Sequence, residues 1–220
     1  MVNYSESSEL LAFLRDQRDG ERVPPLKDLS SELQISVSRL REQLEVAKSM
    51  GFVAVRPRVG IRRLDYSFTP AVRSSLDYAI QLDHRHFEQY LDLRRHLEDA
   101  YFIQAGQALQ PEDHQELERL IAQAWDKLRG RPVRIPHQEH RQFHLTIYRR
   151  LDNVFVSGLI EAYWDAYETV GLNVYADLAY LEKVWSYHER VAASLASGEL
   201  EKGKRLMREH FDLLIDRLAS

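Results

Sequence analysis

Four histidines carry the strongest chemical suggestion in this chain, because helices would turn their spacings into proximity. His140 and His144 stand at i and i+4, so on a helix both imidazoles leave one face a turn apart, where two side chains can share one metal ion. His188 and His210 lie on consecutive helical stretches joined by a tight Ser197-Gly198 turn. Each is about eleven residues from the centre of that turn, so antiparallel packing sets them at similar height. The chain has no cysteine, which excludes disulfides and thiolate sites and leaves histidine and carboxylate to build any transition-metal centre. A single histidine on an amphipathic helix more often serves as a hydrogen-bonded core or surface residue. His84, His86, His96, His114 and His137 read that way.

A second chemistry-bearing segment is cationic. Between Ile35 and Leu64 seven Lys or Arg (Arg39, Arg41, Lys48, Arg56, Arg58, Arg62, Arg63) face two acids (Glu42, Glu45), although the whole chain carries a net charge of −4. Charge in isolation suits a solvated helical face equally well, so geometry has to decide between that and a phosphate-binding surface. Ser36, Ser38, Arg39 and Arg41 fall at the start and on the polar face of one helical stretch, where a recognition helix presents side chains to bases and phosphates. Lys27 is assigned to the same surface.

The elements that would position these residues follow from periodicity and breakers. Ser7 is a candidate cap for a helix over 8–18 with Leu10, Leu11 and Leu14 on one face, stopped at Asp19-Gly20. Pro24-Pro25 restarts the chain into a helix over Leu26 to Leu33, a tight turn spans Gln34 to Ser36, and a third helix over Val37 to Met50 buries Leu40, Leu44 and Ala47 before Gly51. Phe52 to Val55 alternates as a strand, Arg56 to Gly60 turns, and Ile61 to Leu64 returns. Three helices and a basic hairpin make a winged helix-turn-helix over residues 1–65, with Arg58, Gly60 and Arg62 on the wing. Beyond the linker Asp65 to Phe68, residues 66–220 read as seven helices at about 70–82, 84–108, 111–129, 136–151, 154–173, 176–196 and 199–219, which pack as an antiparallel bundle. The expected fold is therefore mainly α: a winged helix followed by an all-helical domain. No apolar run approaches the roughly 20 residues that span a bilayer, and the start does not read as a secretion signal, so a soluble cytoplasmic protein is expected.

These residues resemble the GntR family of regulators, whose winged helix carries a stretch like L-A-x-x-L-G-V-S-R-T-P-V-R-E-A-L. Leu29 to Leu44, then Met50-Gly51-Phe52-Val53, match it without gaps. Arg41 and Glu42 sit on the family's Arg-Glu pair and Gly60 on its wing glycine, while Val37 replaces an arginine and Arg39 a proline. The second part resembles the FCD effector domain of the FadR-type branch. Its R-x-x-L-E signature is matched by Arg94 to Glu98, its D-x-x-x-H by His140 to His144 followed by Asn153, and its H, turn, H pattern by His188, Gly198-Glu199 and His210.

That resemblance implies a DNA-binding homodimer with a metal-assisted effector site at His140, His144, His188 and His210. His140 stands where most metal-binding relatives have aspartate. An all-imidazole set favours zinc or nickel over manganese or magnesium and leaves the ion with more of its charge, which welcomes a small carboxylate. Arg94, whose planar fork suits a carboxylate, is the expected effector contact; its alternative is an ion pair with Glu98 at i+4. Two other readings stand beside this one. A helical metal-dependent hydrolase would need a general base, and the chain has no His-Asp dipeptide, no His-Glu-x-x-His and no glycine-rich phosphate loop. A DNA-binding protein with a purely structural metal is the other.

Overall fold

The computed structural model describes residues 8–18, 20–170 and 177–219. The chain divides into two compact units, Met1–Ala71 and Val72–Ser220, a boundary that falls inside the first turn of a helix rather than at residue 65.

In the first unit, helix α1 (Glu9–Arg15) is capped by Ser8, whose Oγ accepts the Leu11 N–H at 3.3 Å. The expected cap, Ser7, lies outside the described residues, and the helix ends at Arg15, short of Arg18. A two-residue strand, β1 (Arg22–Val23), precedes α2 (Leu26–Leu33) and α3 (Val37–Ser49). Gln34 takes a left-handed conformation between these two helices (φ 55°), and Ser36 caps α3 by accepting the Arg39 N–H at 3.2 Å. Gly51 ends α3 at φ +73°, and a Cβ there would lie 2.6 Å from Pro70 Cγ, so the position needs glycine for both its backbone angle and its space.

Strands β2 (Val53–Arg56) and β3 (Gly60–Arg63) form the hairpin in the register Val53↔Arg63 to Arg56↔Gly60. β1 adds on the far side of β3, giving the order β1-β3-β2. This third strand has no periodic signal, since two residues are too few to alternate. Leu10, Leu14, Val23, Leu29, Leu40, Leu44, Ala47, Val53 and Ile61 form the core.

The second unit is a bundle of α4 (Thr69–Leu82), α5 (Arg85–Ala108), α6 (Pro111–Arg129), α7 (His137–Tyr148), α8 (Val154–Thr169), α9 (Leu178–Ala196) and α10 (Leu200–Ala219). The expected ends at 171–173 and 176 lie outside the described residues. α5 packs against α7, α8 and α10, while α9 packs against α6 and α10, so the middle of the bundle is walled by α5, α7, α8, α9 and α10. α9 and α10 form a tight hairpin closed at Gly198 (φ +73°), and Gly203 lets α10 approach α5 until a Cβ would stand 3.1 Å from Phe102. Asn153 caps α8, accepting the N–H groups of Phe155 and Val156 at 3.1 and 3.2 Å.

Asp113 is fully buried near the start of α6, where it accepts the Gln110 N–H at 2.8 Å and receives Arg149 and Arg150 from the end of α7. Burial raises its carboxyl pKa, but the hydrogen bonds from Arg150, Gln110 and Arg149 outweigh that and hold it below the usual carboxylate range. Asp113→Ala is expected to cost about 2–3 kcal/mol in urea unfolding at pH 7. The contribution of a carboxylate with a depressed folded pKa is full above about pH 4 and is lost as the pH falls through the folded value, so the gap between wild type and variant narrows in acid.

Candidate functional site

α7 delivers His140 and His144, α9 delivers His188 and α10 delivers His210 into the middle of the bundle. One ring nitrogen from each lies within 4.8 Å of the others. The rings are 4.4 Å apart at His188–His210 and 4.7 Å at His140–His188, and the widest separation, His140–His210, is 5.6 Å. The Nε2 atoms of His144 and His188 are 3.3 Å apart. Two nitrogens each about 2.0–2.1 Å from a tetrahedral ion stand about 3.4 Å apart, so this pair already has the separation of two metal ligands. The buried Nε2 of His140 and Nδ1 of His188 and His210 have no hydrogen-bond partner among the described residues, a deficit that an ion taking Nε2 of His140 and Nδ1 of His210 would reduce.

Burial pushes all four imidazoles well below the ordinary histidine range, with neighbouring imidazoles and Arg94 adding to the effect. They are therefore neutral at pH 7, the form that ligates metals. Trp164 packs 4.7 Å from the His140 ring, Phe143 4.4 Å and Trp185 4.8 Å from His188, which keeps the surroundings apolar.

A buried chain of charge leads away from the cluster. His144 Nδ1 is 2.9 Å from Glu98 Oε2; with Glu98 ionised beside Arg94, the imidazole donates and its Nε2 lone pair is turned toward the other histidines. Glu98 Oε1 accepts from Arg94 Nε, and both side chains are buried. Burial pushes the Glu98 carboxyl up, against the opposing charge of Arg94. The ion pair weighed from sequence is thus present. It does not exhaust the arginine, because Arg94 Nη2 is buried with no partner among the described residues. The guanidinium lies 4.0 Å from the centre of the Tyr163 ring, 4.7 Å from Trp164 and 5.0 Å from Phe211.

The five remaining histidines are scattered. His137 bonds Glu168 at 2.9 Å and stacks on Tyr167, His86 and His96 bond backbone carbonyls, His84 is exposed, and His114 sits half-buried on α6.

In the first unit the residues assigned to DNA divide by freedom. The side chains of Lys27, Ser38, Arg41 and Arg58 are exposed with no partner among the described residues. Arg58 sits at the tip of the hairpin in a left-handed conformation (φ 64°) and Gly60 follows at φ 91°. Ser36 spends its hydroxyl oxygen on the cap, Arg39 is held by Glu9 at 2.8 Å, and Arg62 donates to the Gly20 carbonyl at 2.8 Å.

Residues 89–213 match the model of the FCD domain, more than half of the chain. The chain belongs to the FCD family. The Uxu operon transcriptional regulator of Escherichia coli is 26% identical over 96% of this chain and 85% of its own length. Two solved structures share the fold. Streptococcus agalactiae GntR has a TM-score of 0.67 at 16% identity over 93% of this chain and 94% of its own, and E. coli McbR/YncC a TM-score of 0.55 at 20% identity over 97% and 98%. With a winged helix ahead of the FCD domain, the protein is a transcriptional regulator of the GntR type.

Sequence reasoning found the four histidines of this FCD domain and weighed Glu98 only as a rival for Arg94, whereas the carboxylate serves Arg94 and His144 together. Tyr148, whose hydroxyl donates to the Glu98 carbonyl at 2.9 Å, and the cage of Tyr163 and Trp164 were missed. Nothing in the periodicity of α8 separates these from ordinary core aromatics.

Glu98→Ala would strand the Arg94 charge and is expected to cost about 3–5 kcal/mol in chemical unfolding, well above the Asp113 effect. The neutral histidines set a pH dependence of the metal-free protein. Groups with depressed folded pKa bind more protons when unfolded, so stability is full above the unfolded value near 6.5 and falls as the pH drops below it. Each imidazole adds up to about 1.4 kcal/mol per pH unit, and a His188→Gln variant should lose part of that slope in melts between pH 7 and 5.

Proposed function

We propose that this regulator binds operator DNA as a homodimer in the cytoplasm and senses a small carboxylate at a divalent metal, zinc or nickel, held by His140, His144, His188 and His210. The observation that carries the reading is the convergence of four neutral imidazoles, three of them buried, beside a buried arginine with a spare N–H. Four neutral donors leave a divalent ion's charge uncompensated, which supports an anionic ligand, and borderline nitrogen donors favour zinc or nickel over manganese or magnesium. When bound, the ion would supply a positive point to which a carboxylate oxygen can add. The protein's own part is to hold that carboxylate through Arg94, to orient His144 through Glu98, and to exclude water with Trp164, Trp185 and Phe143. Both oxygens of Glu98 are already engaged, so among the described residues no free carboxylate stands at the cluster to act as general base, and this favours sensing over hydrolysis.

The similarity to a protein named for the operon it regulates, and the exposed basic residues of α3 and the hairpin, support DNA reading by Lys27, Ser36, Ser38, Arg39, Arg41, Arg58, Gly60 and Arg62. A single winged helix covers one half-site, which supports a two-fold dimer on near-palindromic DNA. Effector binding would then shift the equilibrium between dimer states of different DNA affinity.

Protein purified without added metal or a histidine tag is expected to carry near-stoichiometric zinc or nickel by elemental analysis, and His144→Ala and His210→Ala to lose it. Chelation should abolish the carboxylate response while leaving the fold largely intact; melting of the bundle on chelation would instead establish a structural metal. In operator titrations across salt, Arg41→Ala and Arg58→Ala should each lower the slope of log K against log salt by about 1 if they neutralise phosphates.

A further inference from the structure

The short strand β1 brings to the winged unit a cation that lies outside the basic stretch from Ile35 to Leu64. It sets Arg22 directly opposite Arg62 on β3, while β2 sets Ala54 opposite Arg62 and Arg56 opposite Gly60. Residues paired across strands share a face, and the pleat returns to that face at every second residue. Arg22, Ala54, Arg56, Gly60 and Arg62 therefore lie on one side of the sheet, and Val23, Val53 and Ile61 point into the core on the other. Arg63 pairs with Val53, so it belongs to the core side and is half-buried. The first side faces water: Arg22, Arg56 and Arg62 are exposed, and the three strands contain no acid.

Gly60 is the low point of this face. A Cβ built there would stand 3.5 Å from both Nε and Nη2 of Arg22, so the guanidinium lies over the glycine from one flank while Arg56 stands opposite on the other. Arg22 and Arg56 have no hydrogen-bond or ion-pair partner among the described residues, and Arg62 gives one N–H to the Gly20 carbonyl and keeps the rest of its fork. Like charges directly opposite each other destabilise a sheet, so the Arg22–Arg62 pair works against the fold until an anion lies over it. Neighbouring strands are about 4.8 Å apart, which spreads the cations over roughly 10 Å, the reach of an extended polyanion rather than of one small anion. We propose that Arg22 contacts the DNA phosphate backbone over Gly60, so that the solvent face of the whole three-stranded sheet, and not the hairpin alone, seats the duplex. The proposal rests on the DNA reading above and adds β1 to that interface. It gives Gly60 a second role beside its φ of 91°: the missing side chain keeps the strip between Arg22 and Arg56 open to a phosphate.

The test is titration of the full-length protein onto a fluorescently labelled duplex of arbitrary sequence across roughly 50–200 mM salt. Phosphate contacts carry no sequence information, so the operator need not be known. Arg22→Ala is expected to lower the slope of log K against log salt by about 1, and Arg22→Lys, which keeps the charge, to retain the wild-type slope. Lys183→Ala removes a cation from the exposed side of α9 and should leave the slope unchanged. Because Arg22→Ala relieves the like-charge pair, its urea midpoint should be no lower than that of wild type, which separates a lost contact from a lost fold. If Arg22→Ala keeps the wild-type slope while Arg41→Ala lowers it, the inference is overturned and the DNA reading stands. An equal loss of slope in Lys183→Ala would trace the effect to net charge and overturn the inference as well. If the wild type binds no duplex even at the lowest salt, the DNA reading falls and the inference with it.

Discussion

A positive charge buried in a helical bundle is the constraint around which the second unit is organised. Arg94 is almost wholly removed from water, and a guanidinium in that position is tolerated only with a partner and a polarisable surround. Glu98, one turn along α5, supplies the partner, and the faces of Tyr163, Trp164 and Phe211 supply the surround. Each compensating group brings its own element: α8 comes with the two aromatics, α10 with Phe211, and α7 with His144, which takes the second oxygen of Glu98. Replacing such a pair with well-packed apolar side chains commonly leaves a fold as stable or more so. An arginine with one edge tied to Glu98 and a spare N–H is the group that the proposed carboxylate would engage.

The histidine cluster was legible because its geometry is local twice over. A turn of one helix relates His140 and His144, and a tight hairpin relates His188 and His210, so each pair needs only short-range regularity to meet. Bringing the pairs together is a tertiary event, and there the residues matched to a family motif did what periodicity could not. The cage of Tyr163 and Trp164 was illegible for the complementary reason. Aromatic residues at helical spacing are the usual material of a core, and only the three-dimensional fact that a buried guanidinium packs on their faces sets these two apart.

In the winged unit, breakers told more than propensities. Gly51, the Pro24-Pro25 pair and the turn at Gln34 placed three helices with small errors at their ends, while β1 escaped because a strand of two residues exists only through its pairing with β3. The cap at Ser8 instead of Ser7 is a one-residue difference that composition cannot resolve in a run of serines. The tethering of Arg39 by Glu9 belongs to the same class, an ion pair between α1 and α3 that no local pattern announces.

Of the four clustered histidines, His144, His188 and His210 are buried and His140 alone keeps residual exposure. Three donors shut behind aromatic walls and a fourth at the edge make this a matter of rate as much as of affinity. For an ion held as proposed, His140 would be the ligand nearest water, and exchange would wait on the motion of that imidazole and of the helix that carries it. An ion behind such a threshold would exchange slowly beside one at the surface, and its occupancy would reflect what the protein met when it folded as well as what surrounds it later.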